Sequence, residues 1–227
     1  MSEIPQFILP PPSAISERFG RALMDGSLLR HTLVTLSEVI AGLALGAISA
    51  SFLGYGLAKS STLERVLSPY IVASQSIPIV AIAPLLVIWF GPGRISKVLI
   101  CALIVFFPVL INTIVGVRTV PSELYDLMRS LRATKAQIFR KLEVPAAMPV
   151  LLGGLKIGAT LAVIGAVVGE FVGADQGLGF LINLGDGLYD TPLVFVAVLT
   201  LVAMALMLYG IVATLERRLL AWRTAGG

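Results

Sequence analysis

The chain has 227 residues, of which 57% are hydrophobic and 13% charged, with 17 Lys and Arg against 13 Asp and Glu. So few charges cannot coat a soluble globule, where they make up about 25% of residues, and a mean hydropathy of +0.94 points the same way. Disorder is excluded by the same numbers, and a disulfide scaffold by the presence of one cysteine, Cys101, which sits in an apolar run and reads as a buried inert thiol. In chain order, residues 1–30 carry Glu3, Glu17, Arg18, Arg21, Asp25 and Arg30 with Pro5 and the run Pro10, Pro11, Pro12. They form no span and lack the basic start and apolar middle of a cleavable signal. Apolar stretches then predict membrane spans at 32–58, 68–90, 96–118, 147–172 and 191–214. Each is close to the roughly 20 residues a helix needs to cross a bilayer, and none alternates as a barrel strand would. The expected class is an all-α polytopic membrane protein with about five transmembrane helices.

Basic residues set orientation. Eleven of the 17 bases fall on the face that holds the 119–146 loop and the C-terminus. That face is expected to be cytoplasmic, and the N-terminus outside. The expected organisation is an extracytoplasmic tail at 1–30, a transmembrane domain at 31–215 and a cytoplasmic tail at 216–227. Locally, the three bases before the first span oppose this sum. The outer loop at 173–190 holds three Asp and no base.

Lipid gives helices little hydrophobic reason to associate, so small residues that let backbones approach matter. The first span has Gly42, Gly46, Ala50 and Gly54 on one face; the fourth has Gly154, Gly158, Ala162 and Ala166, with Gly165, Gly169 and Gly173 beside them. These stripes predict a tight bundle or a dimer seam. Pro78, Pro84 and Pro108 lie inside spans two and three, where a proline frees a carbonyl and bends the helix. Ser74, Gln75 and Ser76 precede Pro78. Together they are translocation-path candidates or local helix-to-helix hydrogen bonds. Intramembrane charges are functional candidates. Glu38 snorkels to the interface or serves a function. Lys156 attracts an anionic substrate or extends its stem to the cytoplasmic interface. Glu170 pairs with a base or touches a partner outside, where Gly177 and Gly179 offer a turn for docking. One histidine, His31, makes a metal site unexpected.

The 119–146 loop carries the most information. Pro121 and Ser122 offer a helix start, and Leu124, Leu127, Met128 and Leu131 recur at helical spacing among basic residues. A second short helix is expected over 134–142, with Pro145 blocking its extension and opening the next span. Such a helix pair lies on anionic lipid or docks in a partner's groove. The run Asp126-Leu127-Met128-Arg129-Ser130-Leu131-Arg132-Ala133-Thr134, with Val144-Pro145 after it, resembles the "EAA" loop of binding-protein-dependent ABC importer permeases. Asp126 stands where that pattern has Glu, Leu127 and Met128 where it has two Ala. Gly154-Leu155-Lys156-Ile157, Val168-Gly169-Glu170 and Gly177-Leu178-Gly179 resemble the segment after the loop in nitrate/sulfonate/taurine-type permeases. Phe7–Ala14 and Gly26–His31 resemble the segment that precedes the core.

The resemblance implies a type I ABC importer transmembrane domain in the bacterial cytoplasmic membrane. It implies a cytoplasmic ATPase pair, an extracytoplasmic solute-binding protein and a second copy or homologous permease as partners, besides the lipid bilayer. Asp126, Arg129, Ser130, Arg132, Ala133 and Pro145 would couple to the ATPase, with Leu124, Leu127 and Leu131 as its apolar anchor. The chain has no Walker-type run, so ATP would be bound by the partner; no cofactor or nucleic acid is implied. The solute would be an oxyanion such as nitrate or a sulfonate, or a neutral heterocyclic vitamin precursor. Two departures stand out. Arg132 occupies the pattern's Gly, where a left-handed conformation costs a non-Gly residue about 1–2 kcal/mol, so either the turn is right-handed or Arg132 gains something in return, such as a contact with the partner. Permeases of the subgroup also usually carry a span before the Pro-rich run, whereas this sequence starts just inside that point and five spans rather than six are expected. A secondary transporter would favour inverted repeats, and an intramembrane enzyme clustered acids or histidines; neither pattern is seen.

Overall fold

A computed structural model describes residues 9–221. Among them every regular element is helical, as expected where lipid offers backbone groups no partner. Among the described residues four helices are long and apolar enough to cross a membrane, or five if a bent pair counts as one span.

The N-terminal segment is not a plain tail. Helix α1 spans Pro12–Met24, with Pro12 near the first helical position, where its fixed φ suits a helix and its missing N–H costs nothing. It packs along α2 and α10 (Ser27–Lys59 and Thr191–Leu219). Ala22 is its buried anchor, and Arg18 Nε donates to Asp190 Oδ2 at 2.7 Å. A left-handed Gly26 turns the chain into α2. Here Asp25 accepts from the Ser27 N–H at 2.8 Å, and bonds from Ser27 hold its carboxyl below the usual range.

Helix α5 (Arg94–Arg118) is the centre of the bundle. It is packed between α2 and α8 (Val144–Phe171). Both small-residue stripes pack inside the bundle from Gly42 to Gly54 and from Gly154 to Gly169, while Gly173 at the end of the second is exposed. A Cβ on Gly46 would lie 2.6 Å from the Ala102 carbonyl oxygen, and one on Gly165 would lie 2.8 Å from Cys101 Cα. Cys101 is fully buried in that contact, as its apolar run predicts.

The segment expected as the second span is sharply bent. Helices α3 (Ser61–Gln75) and α4 (Ile79–Phe90) meet at 91°. Pro78 has no N–H to continue α3 and instead caps α4 in an extended conformation. The loop at 173–190 contains a further helix, α9 (Leu178–Gly187), which buries Leu178, Gly179, Leu181 and Gly185.

Candidate functional site

At one end of the bundle a hairpin projects between α5 and α8. Its first arm, α6 (Ser122–Ser130), has Glu123 in its first turn and Arg129 in its last, each matching the helix dipole. No residue of α6 is buried. Leu124, Leu127 and Leu131 are 40%, 53% and 68% exposed, so the apolar stripe expected from the sequence exists and nothing among the described residues covers it. Asp126 and Arg129 form an exposed pair at 3.1 Å, worth about 1 kcal/mol or less. Burial, reinforced by the nearby Glu143 carboxylate, holds the Tyr125 phenol above its usual range, so it stays a neutral hydroxyl at physiological pH.

Arg132 is left-handed, with φ 54. Its N–H donates to the Arg129 carbonyl at 2.9 Å, and the Ala133 N–H reaches the Met128 carbonyl at 2.9 Å. These two bonds satisfy carbonyls at the end of α6 in a glycine-type helix stop. The right-handed alternative is therefore excluded. Thr134 and Gln137 then form a reciprocal cap for α7 (Lys135–Ile138). The expected break at Pro145 is absent. A π-helical turn at Phe139–Glu143 joins α7 to α8, so helix runs from Lys135 to Phe171. In that wider turn the Val144 N–H reaches back to the Phe139 carbonyl, and Pro145, near the first position of α8, is tolerated where the register changes.

At the opposite end, Glu170 is fully buried. Its Oε1 accepts from the Thr35 hydroxyl at 2.6 Å and its Oε2 from the Gly179 N–H at 2.5 Å. Thr35 Oγ1 accepts from the Leu178 N–H at 2.8 Å, and His31 Nδ1 from the Gly177 N–H at 2.9 Å. Glu170, Gly177 and Gly179 thus form an internal latch between α2, α8 and α9. The expectation that they offer an outer docking surface is overturned: all three are buried. A Cβ on Gly177 or Gly179 would collide with the Glu170 carboxyl group, which is why glycines stand there. Glu38 does not snorkel either. It is fully buried 3.7 Å from Lys97, itself 4% exposed. Sequence reasoning missed Thr35, His31 and Lys97 as partners. Opposite charges in the first and third spans were the available signal for Glu38 and Lys97.

Ser74, Gln75, Ser76 and Pro78 are exposed at the bend. Ser74 and Ser76 donate to carbonyls of their own helix, Tyr70 and Val72. Lys156 lies apart from them, bound to Glu216 of α10 at 2.6 Å.

Residues 42–221 match the family model described as the binding-protein-dependent transport system inner membrane component. The chain belongs to this family. A riboflavin transport system permease protein of Chloroflexus aurantiacus is 49% identical over 225 residues, covering 99% of this chain and 84% of that protein. A formylaminopyrimidine transport permease protein of Halalkalibacterium halodurans is 36% identical, over 96% of this chain and 86% of its own length. The taurine transport system permease protein of Escherichia coli is 30% identical, over 96% and 82%. Among solved structures, an inward-facing MetNI methionine ABC transporter chain superposes with a TM-score of 0.74 at 20% identity, covering 86% of this chain and 97% of that one.

This permease subunit therefore has a type I ABC importer transmembrane fold and is a multi-pass protein of the cytoplasmic membrane. It moves a small solute that a binding protein delivers, driven by a separate ATPase. In this permease, Arg132→Gly should raise stability by about 1 kcal/mol, because only the left-handed penalty is removed from an exposed side chain. Thermal unfolding in detergent checks this; a lowered midpoint would mean that the Arg132 side chain supports the turn.

Proposed function

We propose that this permease imports a neutral heterocyclic vitamin or vitamin precursor, with the exposed α6 hairpin as its grip on a cytoplasmic ATPase pair. The unsatisfied stripe of Leu124, Leu127 and Leu131 carries the hairpin reading. An amphipathic helix laid in a groove uses such anchors at helical spacing. Asp126, Arg129, Ser130, Arg132, Ala133 and Pro145 surround the anchor as coupling residues. ATP is bound and hydrolysed by the partner. A second copy, or a homologous permease, covers the α3–α4 face, where Ser74, Gln75, Ser76 and Pro78 line the path.

Two observations favour a neutral solute over an oxyanion. The permease is 49% identical to the riboflavin permease but 30% identical to the taurine permease. The bases within the spans are also engaged, Lys97 by Glu38 and Lys156 by Glu216, so neither is free to hold a sulfonate.

The test is reconstitution with the genetically adjacent ATPase and binding protein in proteoliposomes. Uptake of a flavin or an aminopyrimidine is expected, with ATP hydrolysis stimulated by the loaded binding protein. Uptake of taurine alone would overturn the solute class. Leu127→Asp should weaken ATPase binding at least tenfold, since about 1.4 kcal/mol of lost anchor burial suffices for that. Co-purification measures it, and undiminished ATPase binding would sink the hairpin reading.

A further inference from the structure

A third attachment of the hairpin lies outside its two covalent arms. Glu143, at the end of the π-helical turn, is buried. It pairs with Lys59 in the last turn of α2 and accepts from the Tyr55 hydroxyl at 2.8 Å. The Lys59 ammonium also lies 3.5 Å from the Tyr125 hydroxyl, 5.0 Å from the centre of the Tyr125 ring and 5.7 Å from that of Tyr55. Tyr55 in turn meets Phe139 edge to face at 5.3 Å. One ammonium therefore joins three elements: α2, the π-helical turn and α6.

Both covalent arms of the hairpin depart from regular α-helix. The first enters α6 through Thr119, Val120 and Pro121, and the second leaves through a π-helical turn. Such turns interrupt regular helix bonding and recur at functional sites. A push on α6 can dissipate as bending at these two points. The contact between Lys59 and Tyr125 is what carries it to α2, one of the two long helices packed on the central α5.

We propose that Lys59, Glu143 and Tyr125 are positioning residues for ATP-driven transport: clamped between the Glu143 carboxylate and the Tyr125 ring, the Lys59 ammonium ties hairpin movement to α2. This rests on the reading of α6 as the ATPase grip. Basic character is needed at 59 and an aromatic ring at 125, whereas the Tyr125 hydroxyl, at a long 3.5 Å, matters less.

The experiment uses the complete transporter in proteoliposomes and measures ATP hydrolysed per solute imported, alongside ATPase co-purification. The double variant Lys59→Met/Glu143→Gln removes the pair without stranding a buried charge. It is expected to keep the ATPase bound while raising ATP per solute at least fivefold. Tyr125→Leu should do the same, Tyr125→Phe should stay within twofold of the parent, and Lys59→Arg should retain coupling. A parental ratio in the double variant overturns the proposal. So does loss of the assembled complex in both the double variant and Tyr125→Leu, which would make these residues supports of the fold only. The Leu127→Asp control separates the two readings. If it releases the ATPase while the double variant stays coupled, this tie fails and the hairpin reading stands. If it leaves the ATPase bound, the hairpin reading itself fails.

Discussion

Glu170→Ala should cost the permease about 2–4 kcal/mol, from one orphaned buried donor and the void left behind. The loss has named parts. The Gly179 N–H gives up its acceptor in a site closed to water, and a buried orphan costs about 1–3 kcal/mol, while the Thr35 hydroxyl must fall back on the longer bond to the His31 carbonyl. The side chain also leaves a void beneath Gly177 and Gly179. Glu170→Gln should be far milder, about 1 kcal/mol. Its carbonyl can accept from Gly179, and its amide can donate to Thr35 Oγ1, because the Thr35 hydroxyl has an alternative acceptor in the His31 carbonyl at 3.2 Å. Unfolding midpoints and the recovery of monodisperse protein in detergent would measure both. Equal behaviour of the Ala and Gln variants would show that the carboxyl group's hydrogen bonds do not hold α9 against α2.

Gly46→Ala is expected to destabilise by about 1–3 kcal/mol, the usual penalty for overpacking, and Gly46→Val by more. The added Cβ would sit 2.6 Å from the Ala102 carbonyl oxygen, and backbone cannot step aside as a flexible side chain can. The same substitution ten residues along α2 supplies the control. Around Gly56 a Cβ meets nothing within 4 Å, so Gly56→Ala should be neutral, or stabilising by about 0.5–1 kcal/mol through helix propensity. The two variants share composition, helix and membrane. A matched shift in their thermal unfolding would mean that α2 and α5 are not in backbone contact.

These two sites differ in how legible they were. The stripe of Gly42, Gly46, Ala50 and Gly54 is a periodic signal, and periodicity survives without knowledge of the partner helix. Which helix it meets is not periodic information; α5 carries no small-residue stripe to announce itself and presents the Ala102 and Leu110 carbonyls instead. Glu170 was legible only as an intramembrane charge. Its partners come from Thr35, 135 residues away, and from a glycine turn whose purpose is to make room for it. The hairpin was read nearly whole, because its stripe, turn and cap are local. Yet the sequence left the hand of Arg132 open, and Pro145 suggested a helix boundary that the π-helical turn removes.

The sequence by itself determined that this is a bundle of apolar helices, roughly where each crosses the membrane, and which segment is the amphipathic hairpin. Those properties follow from the hydrocarbon thickness and from helical periodicity, both of which act along the chain. Only the tertiary structure decided that α1 and α9 are helices docked on the bundle, that α3 and α4 meet at 91°, and which charges neutralise one another. Glu38 with Lys97, Lys156 with Glu216, and Lys59 with Glu143 are each settled by proximity between distant segments. A buried charge is tolerable only beside its partner, and that partner is chosen by packing.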